Sequence, residues 1–214
     1  MIVGKYILAI AIGYFMGAIP FGLVIGRLRR GVDVRDYGSG ATGVANVTRT
    51  AGKAAGVLVF MLDVGKGALV AIVARAIIGW GGTGWYAAAG AAGFAAMVGH
   101  SWSVYIKFRG GRGVTVGVGA LLGMYWPVGL AGLGVFFIVV VFTKYVSLAS
   151  MTAASSSIWI SIPLVALDIL PIEYLIFSIV GTSLIVFRHR DNIKRLIAGT
   201  ERKAGQRVEI KENE

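Results

Sequence analysis

Four stretches of this chain, residues 6–26, 76–106, 114–143 and 145–167, contain no Asp, Glu, Lys or Arg. Roughly 20 apolar residues carry a helix across the hydrocarbon core of a bilayer, and helices satisfy their own backbone polar groups there. Charged residues make up 14% of the whole, against about a quarter in soluble domains. The pattern predicts an all-α, polytopic membrane bundle. It reads as one integral-membrane domain over residues 1–200 with a polar cytoplasmic tail at 201–214, frayed from Gly199 onward and carrying nothing catalytic. With no cysteine, disulfides, thiolate metal sites and a cysteine acyl-enzyme are all excluded.

The net charge of +11 is not a nucleic-acid signature, because its distribution follows the apolar runs. Of the 21 basic residues, 18 fall between alternate runs or after the last one: Arg27 to Lys53, Lys107 to Arg112, Lys144, and Arg188 onward. Basic residues resist translocation and favour the anionic inner leaflet, so those segments are assigned to the cytoplasm. The N-terminus then lies outside. The first span is read as one anchor helix over 1–26, followed by 54–78, a turn at 79–85, and 85–106. The run 114–143 has 30 residues, too many for one span. Crossing once, it would leave Lys144 and the basic tail outside. Split near Pro127 into 114–124 and 127–143, it keeps both inside. The split, with 146–166 and 172–187 completing the path, gives about seven transmembrane or re-entrant helices, with the C-terminus cytoplasmic.

Three inward segments carry chemistry. The stretch 37–49 holds glycines around Ser39, then Asn46 and Arg49. Glycine lets backbone amides approach an anion while a guanidinium neutralises it; the plain alternative is a flexible linker. The stretch 108–115 places Gly110, Gly111, Arg112 and Gly113 at the start of a helix, where amides and the macrodipole favour negative charge. It is not a Walker motif, and alone it equally describes a basic juxtamembrane turn. In 188–195, a continuing helix would put His189 and Asn192 on one face and let Arg188 pair with Asp191. Within the second span, Asp63 and Lys66 are three residues apart and should pair, since an unpaired charge in lipid is costly. Gly65 and Gly67 beside Lys66 would also admit a close ligand. His100, after Gly99, either lines the same cavity or caps a helix contact, and the second reading is favoured.

Anion-suited segments on one face suit either an enzyme on phosphorylated substrates or a membrane transporter of a phosphorylated small anion. Transporters favour midplane charges and repeated halves; this chain puts its polar residues at the helix ends, which favours the enzyme.

These residues resemble the bacterial membrane acyl-phosphate:glycerol-3-phosphate acyltransferases. The likeness rests on Gly38-Ser-Gly with Asn46-Val-Thr-Arg49, Asp63 with Lys66-Gly67, Gly99-His100, Phe108-Arg-Gly-Gly-Arg-Gly113, Tyr145-Val-Ser-Leu-Ala-Ser150 and Arg188-His-Arg-Asp-Asn192. It implies acyl transfer from acyl phosphate to the 1-hydroxyl of sn-glycerol 3-phosphate, giving lysophosphatidic acid and phosphate in phospholipid biosynthesis. No cofactor or metal and no nucleic acid are implied. A phosphate:acyl-carrier-protein acyltransferase would supply the donor. Ser39, Arg49, His189 and Asn192 are then catalytic. Asn46, Lys66, Gly110, Gly111, Arg112 and Gly113 bind substrate phosphate, and Asp63, Arg188 and Asp191 support them. Ala41, Arg112 and Asp191 depart from the family's asparagine, lysine and glutamate.

Overall fold

The computed structural model describes residues 2–79 and 84–206. The turn expected at 79–85 and the end of the tail fall largely outside them. The described residues form α1 (Ile2–Ala18), α2 (Phe21–Arg30), α3 (Val44–Ala51), α4 (Lys53–Ile78), α5 (Trp85–Ser101), α6 (Val114–Thr143), α7 (Val146–Ala166), α8 (Ile172–Arg188) and α9 (Arg190–Ile197). Four stretches are long and apolar enough to cross a membrane: residues 2–30, α4, α6 and α7, with a fifth if the bent pair α8 and α9 counts as one.

The first apolar run is not one helix. Pro20 cannot donate to the helical ladder, so α1 stops at Ala18 and α2 restarts at Phe21. The Ile19 carbonyl freed at this break accepts a hydrogen bond from Lys66 Nζ at 2.8 Å.

The long run 114–143 doubles back. Tyr125 leaves the helical region (φ −156°, ψ 95°) two residues before Pro127, and Gly129 packs against Leu122, which a straight helix would hold about 10 Å away. The Tyr174 hydroxyl donates to the Met124 carbonyl at the break, 2.6 Å away, satisfying an acceptor the kink releases.

Small residues set the helix directions. Gly13 and Gly17 of α1 pack on the backbone at Ala92 and Ala96 of α5, so these helices run parallel. Gly119 and Gly123 pack on Val64 and Ala68 of α4, so the first half of α6 runs parallel to α4. Lys5 meets Ile78, and Lys66 meets Ile19, so α1 and α4 are antiparallel. Thr182 of α8 donates to Ala154 of α7, as an up-and-down pair requires. The segments 31–43, 102–113, 144–145 and 189–206 therefore gather at one end of the bundle, as the split of 114–143 predicts.

Candidate active site

At that end a cavity of about 490 Å³ opens. Its polar part is lined by Ser39, Arg49, His100, Arg112, His189 and Glu201, and its apolar part by residues such as Val57, Phe60, Val118, Leu133, Phe136 and Val140. A charged head joined to a hydrocarbon tail fits that division of surfaces.

The loop carrying Ser39 is built by Asn46. Its Nδ2 donates to the carbonyls of Val34 (2.7 Å), Ala41 (2.9 Å) and Tyr37 (3.2 Å), and its Oδ1 accepts from the Ser39 amide (3.0 Å). Gly38 and Gly40 flank Ser39 with φ of 60° and 68°, values a side chain rarely adopts, and this turns the serine toward the cavity. Asn46 was expected to bind phosphate; its side chain is instead fully used in shaping the loop. Arg35 pairs with Asp33 at 2.6 Å and donates to the Ile106 carbonyl at 3.2 Å, tying this loop to the glycine-rich one.

The glycine-rich segment also differs from expectation. The amides of Gly110 and Gly111 donate to Ser101 and His100 carbonyls at 3.3 and 2.9 Å, capping the end of α5, so they are not available to a phosphate. The following residues, Gly113 to Thr115 at the start of α6, line the cavity beside Arg112, and the first amides of a helix have no partner within it. Arg188 donates to the Gly111 carbonyl at 2.9 Å and lies over the Trp102 ring at 4.9 Å. It does not pair with Asp191, because the chain bends by 61° between α8 and α9 and the i,i+3 relation is lost. Asp191 is exposed and does not line the cavity.

Lys66 is spoken for as well. An ammonium has three protons, and Nζ meets Asp63 Oδ1 at 2.8 Å, the Ile19 carbonyl at 2.8 Å and His100 Nδ1 at 3.2 Å. It does not line the cavity, so the expected phosphate contact is replaced by an internal one. Because Lys66 can only donate, His100 Nδ1 accepts and Nε2 carries the ring proton. That nitrogen lies against Gly111, where a Cβ would overlap it. His100 thus reaches the site, so of its two readings the cavity-lining one holds and the favoured helix contact does not suffice.

The guanidiniums of Arg49 and Arg112 make no hydrogen bond or ion pair with another described residue. Burial pushes Arg112 down to about 10; Arg195, Arg188 and Arg49 add to this while Glu201 opposes it. Burial, then Arg202, likewise lowers Arg49. Both remain cationic at neutral pH, and an anion between them would relieve their repulsion. His189, at the bend just past α8, is buried, not surface-facing. Burial, followed by Arg112, holds it at about 4, so it is neutral. Its Nδ1 donates to the Ile185 carbonyl at 2.8 Å, which leaves Nε2 as an acceptor.

Glu201 was not anticipated. The chain returns from α9 to the cavity instead of fraying at Gly199, and Glu201 is 9% exposed. Its Oε1 accepts from Asn192 Nδ2 (2.6 Å) and Ser147 Oγ (3.0 Å), and Oε2 from Arg195 Nε (2.7 Å). Asn192, expected at the reacting atoms, stands behind this carboxylate. Beyond Glu201, the Ala204 amide donates to the Lys144 carbonyl at 2.7 Å.

A membrane-embedded helical bundle with a cationic, lipid-shaped cavity at one end defines the class. Residues 7–199 match the family model for glycerol-3-phosphate acyltransferase. Glycerol-3-phosphate acyltransferase from Parasynechococcus marenigrum is 43% identical over 203 residues, covering 94% of this chain and 91% of that one. The enzyme named glycerol-3-phosphate acyltransferase 3 from Dehalococcoides mccartyi is 38% identical over 215 residues, covering 97% and 100%. The crystal structure of PlsY, an integral membrane glycerol 3-phosphate acyltransferase, in its glycerol 3-phosphate form, matches with a TM-score of 0.84 at 37% identity, covering 94% of this chain and 96% of that one. Its lysophosphatidic acid form matches at 0.81 and 36%, covering 92% and 94%. The chain belongs to the glycerol-3-phosphate acyltransferase family.

Proposed function

We propose that this chain transfers a fatty acyl group from acyl phosphate to the 1-hydroxyl of sn-glycerol 3-phosphate, at the cytoplasmic face of the cell membrane. The observation that carries it is the cavity that joins two guanidiniums in no described ion pair, Arg49 and Arg112, to an apolar channel. A mixed anhydride already has a good leaving group, so no acyl-enzyme is needed. The hydroxyl oxygen bonds to the carbonyl carbon and the bond from that carbon to the phosphate oxygen breaks. The hydroxyl proton passes to the departing phosphate, giving lysophosphatidic acid and inorganic phosphate. Arg49, Arg112 and the amides at the start of α6 hold two mutually repelling phosphates together, which supplies proximity and electrostatic stabilisation. Ser39 and neutral His189 orient the acceptor. Asp63, Lys66 and Arg188 hold the frame. The donor's chemistry calls for a separate enzyme that makes acyl phosphate, a phosphate:acyl-carrier-protein acyltransferase.

The test is stoichiometry in detergent: phosphate release should equal lysophosphatidic acid formed. Uptake of glycerol phosphate into proteoliposomes with no acyl transfer in detergent would make the protein a transporter. For orientation, cysteines introduced at the exposed positions Arg30, Arg109 and Asp191, at the same end of the bundle, should resist an impermeant reagent in intact cells; their labelling would put the site outside.

A further inference from the structure

The cavity is shaped for anions, yet one of its walls is an anion. Among the described residues that line it, Glu201 is the sole carboxylate. A carboxylate placed near two substrate phosphates repels both, while it also favours the charged forms of Arg49 and Arg112. Glu201 is also firmly placed: three donors on α7 and α9, Ser147, Asn192 and Arg195, fix both of its oxygens. An ionised carboxyl has about four acceptor positions, and these bonds use three, leaving Oε2 able to accept once more.

The acceptor substrate offers what that position needs. Beside its phosphate it carries two hydroxyls, and the one at C1 must lose its proton to the departing phosphate. A carboxylate held by three donors makes a poor proton acceptor: burial raises its pKa, but the bonds from Asn192, Arg195 and Ser147 outweigh burial and keep it below the usual carboxylate value. It is suited to accepting a hydrogen bond from a hydroxyl that keeps its proton. We propose that Glu201 recognises the C2 hydroxyl of glycerol 3-phosphate, and that Asn192, Ser147 and Arg195 are positioning residues acting through it.

This inference rests on the acyl-transfer reading, and one substrate analogue separates the two. Propane-1,3-diol monophosphate keeps the phosphate and the reacting hydroxyl and lacks only the C2 hydroxyl. Losing a charge-assisted hydrogen bond should cost on the order of tenfold in kcat/KM. Wild type should therefore prefer glycerol 3-phosphate over the analogue by tenfold or more, with the KM for acyl phosphate unchanged. In Glu201→Ala the preference should fall to within about twofold of unity, because enzyme and substrate changes remove the same bond. Ser147→Ala, which leaves the carboxylate in place but less constrained, should show an intermediate ratio. A merely structural Glu201 would lower activity toward both acceptors equally and leave the ratio intact, which would overturn the proposal. Equal use of both acceptors by wild type would overturn it whether or not the variants fold. Wild type that acylates neither acceptor would instead remove the acyl-transfer reading.

Discussion

The Asp63 and Lys66 pair separates an internal role from a substrate-binding one more sharply than any other position. Lys66 is 5% exposed and Asp63 fully buried, 2.8 Å apart, with the ammonium also bonded to the Ile19 carbonyl and His100. Lys66→Met removes the cation and leaves Asp63 as a buried charge whose remaining described contacts are Thr115 Oγ1 at 3.5 Å and His100 Nδ1 at 3.8 Å. Breaking a buried pair from one side costs about 3–5 kcal/mol. In a protein whose net stability is on the order of 5–15 kcal/mol, that is a large loss. Replacing both, Asp63→Leu with Lys66→Met, removes the stranded charge and should recover most of the stability, since apolar substitutes for buried pairs are often near neutral. The assay is thermal unfolding in detergent alongside the KM for acyl phosphate. The expected order of stability is wild type, then the double variant close behind, with Lys66→Met lowest. The double variant should keep turnover with an acyl phosphate KM within a few fold of wild type. A folded Lys66→Met of normal stability with a greatly raised acyl phosphate KM, not rescued by the second change, would refute the internal role.

Other outcomes follow from the same geometry. Arg49→Ala should lower kcat/KM tenfold or more, the worth of a charge-assisted contact of about 1.5–3 kcal/mol, and Arg49→Lys should recover only part because the bidentate fork is lost; full activity in the lysine variant would remove that argument. With His189 at about 4, no proton is exchanged at His189 between pH 6 and 8, so His189→Gln should retain measurable turnover with an unaltered profile there. Loss as complete as in His189→Ala, with wild-type activity titrating near about 6.5, would make it the base. Its depressed pKa also has a stability sign: below about 6.5 the unfolded chain takes up a proton that the folded one refuses, so wild type should lose stability as pH falls toward 4 and His189→Gln should lose less. Gly111→Ala drives a Cβ into His100 Nε2, and overpacking of this kind costs about 1–3 kcal/mol. Gly65→Ala meets nothing and should not destabilise; a stable, active Gly111→Ala would contradict the tight His100 contact.

The amount of this structure legible in the sequence differs from residue to residue for physical reasons. Long uncharged runs encode bundle helices because hydrocarbon imposes one solution on the backbone, and the parity of basic residues around Lys144 was enough to place a fold-back beside Pro127. The break at Pro20 is equally written in the residues, but hydropathy does not register it. The Asp63 and Lys66 pair was legible from spacing alone. Its further partners, the Ile19 carbonyl at the break between α1 and α2 and His100 on α5, lie 47 and 34 residues away in the chain, and no local pattern encodes that. Likewise a glycine-rich loop advertises free amides, but whether Gly110 and Gly111 keep them free depends on the end of α5 lying beside them. Glu201 stayed hidden because a polar tail reads as solvated by composition, and only the 61° bend brings its chain back over the cavity. The same bend buries His189 and puts Asn192 behind the carboxylate.

The central claim, that a mixed anhydride is the acyl donor in this cavity, is tested most directly by offering the purified protein glycerol 3-phosphate with acyl phosphate, acyl-CoA or acyl carrier protein in parallel. Lysophosphatidic acid should form with acyl phosphate alone, one inorganic phosphate released per acyl group transferred. Turnover with either thioester and none with acyl phosphate would contradict it.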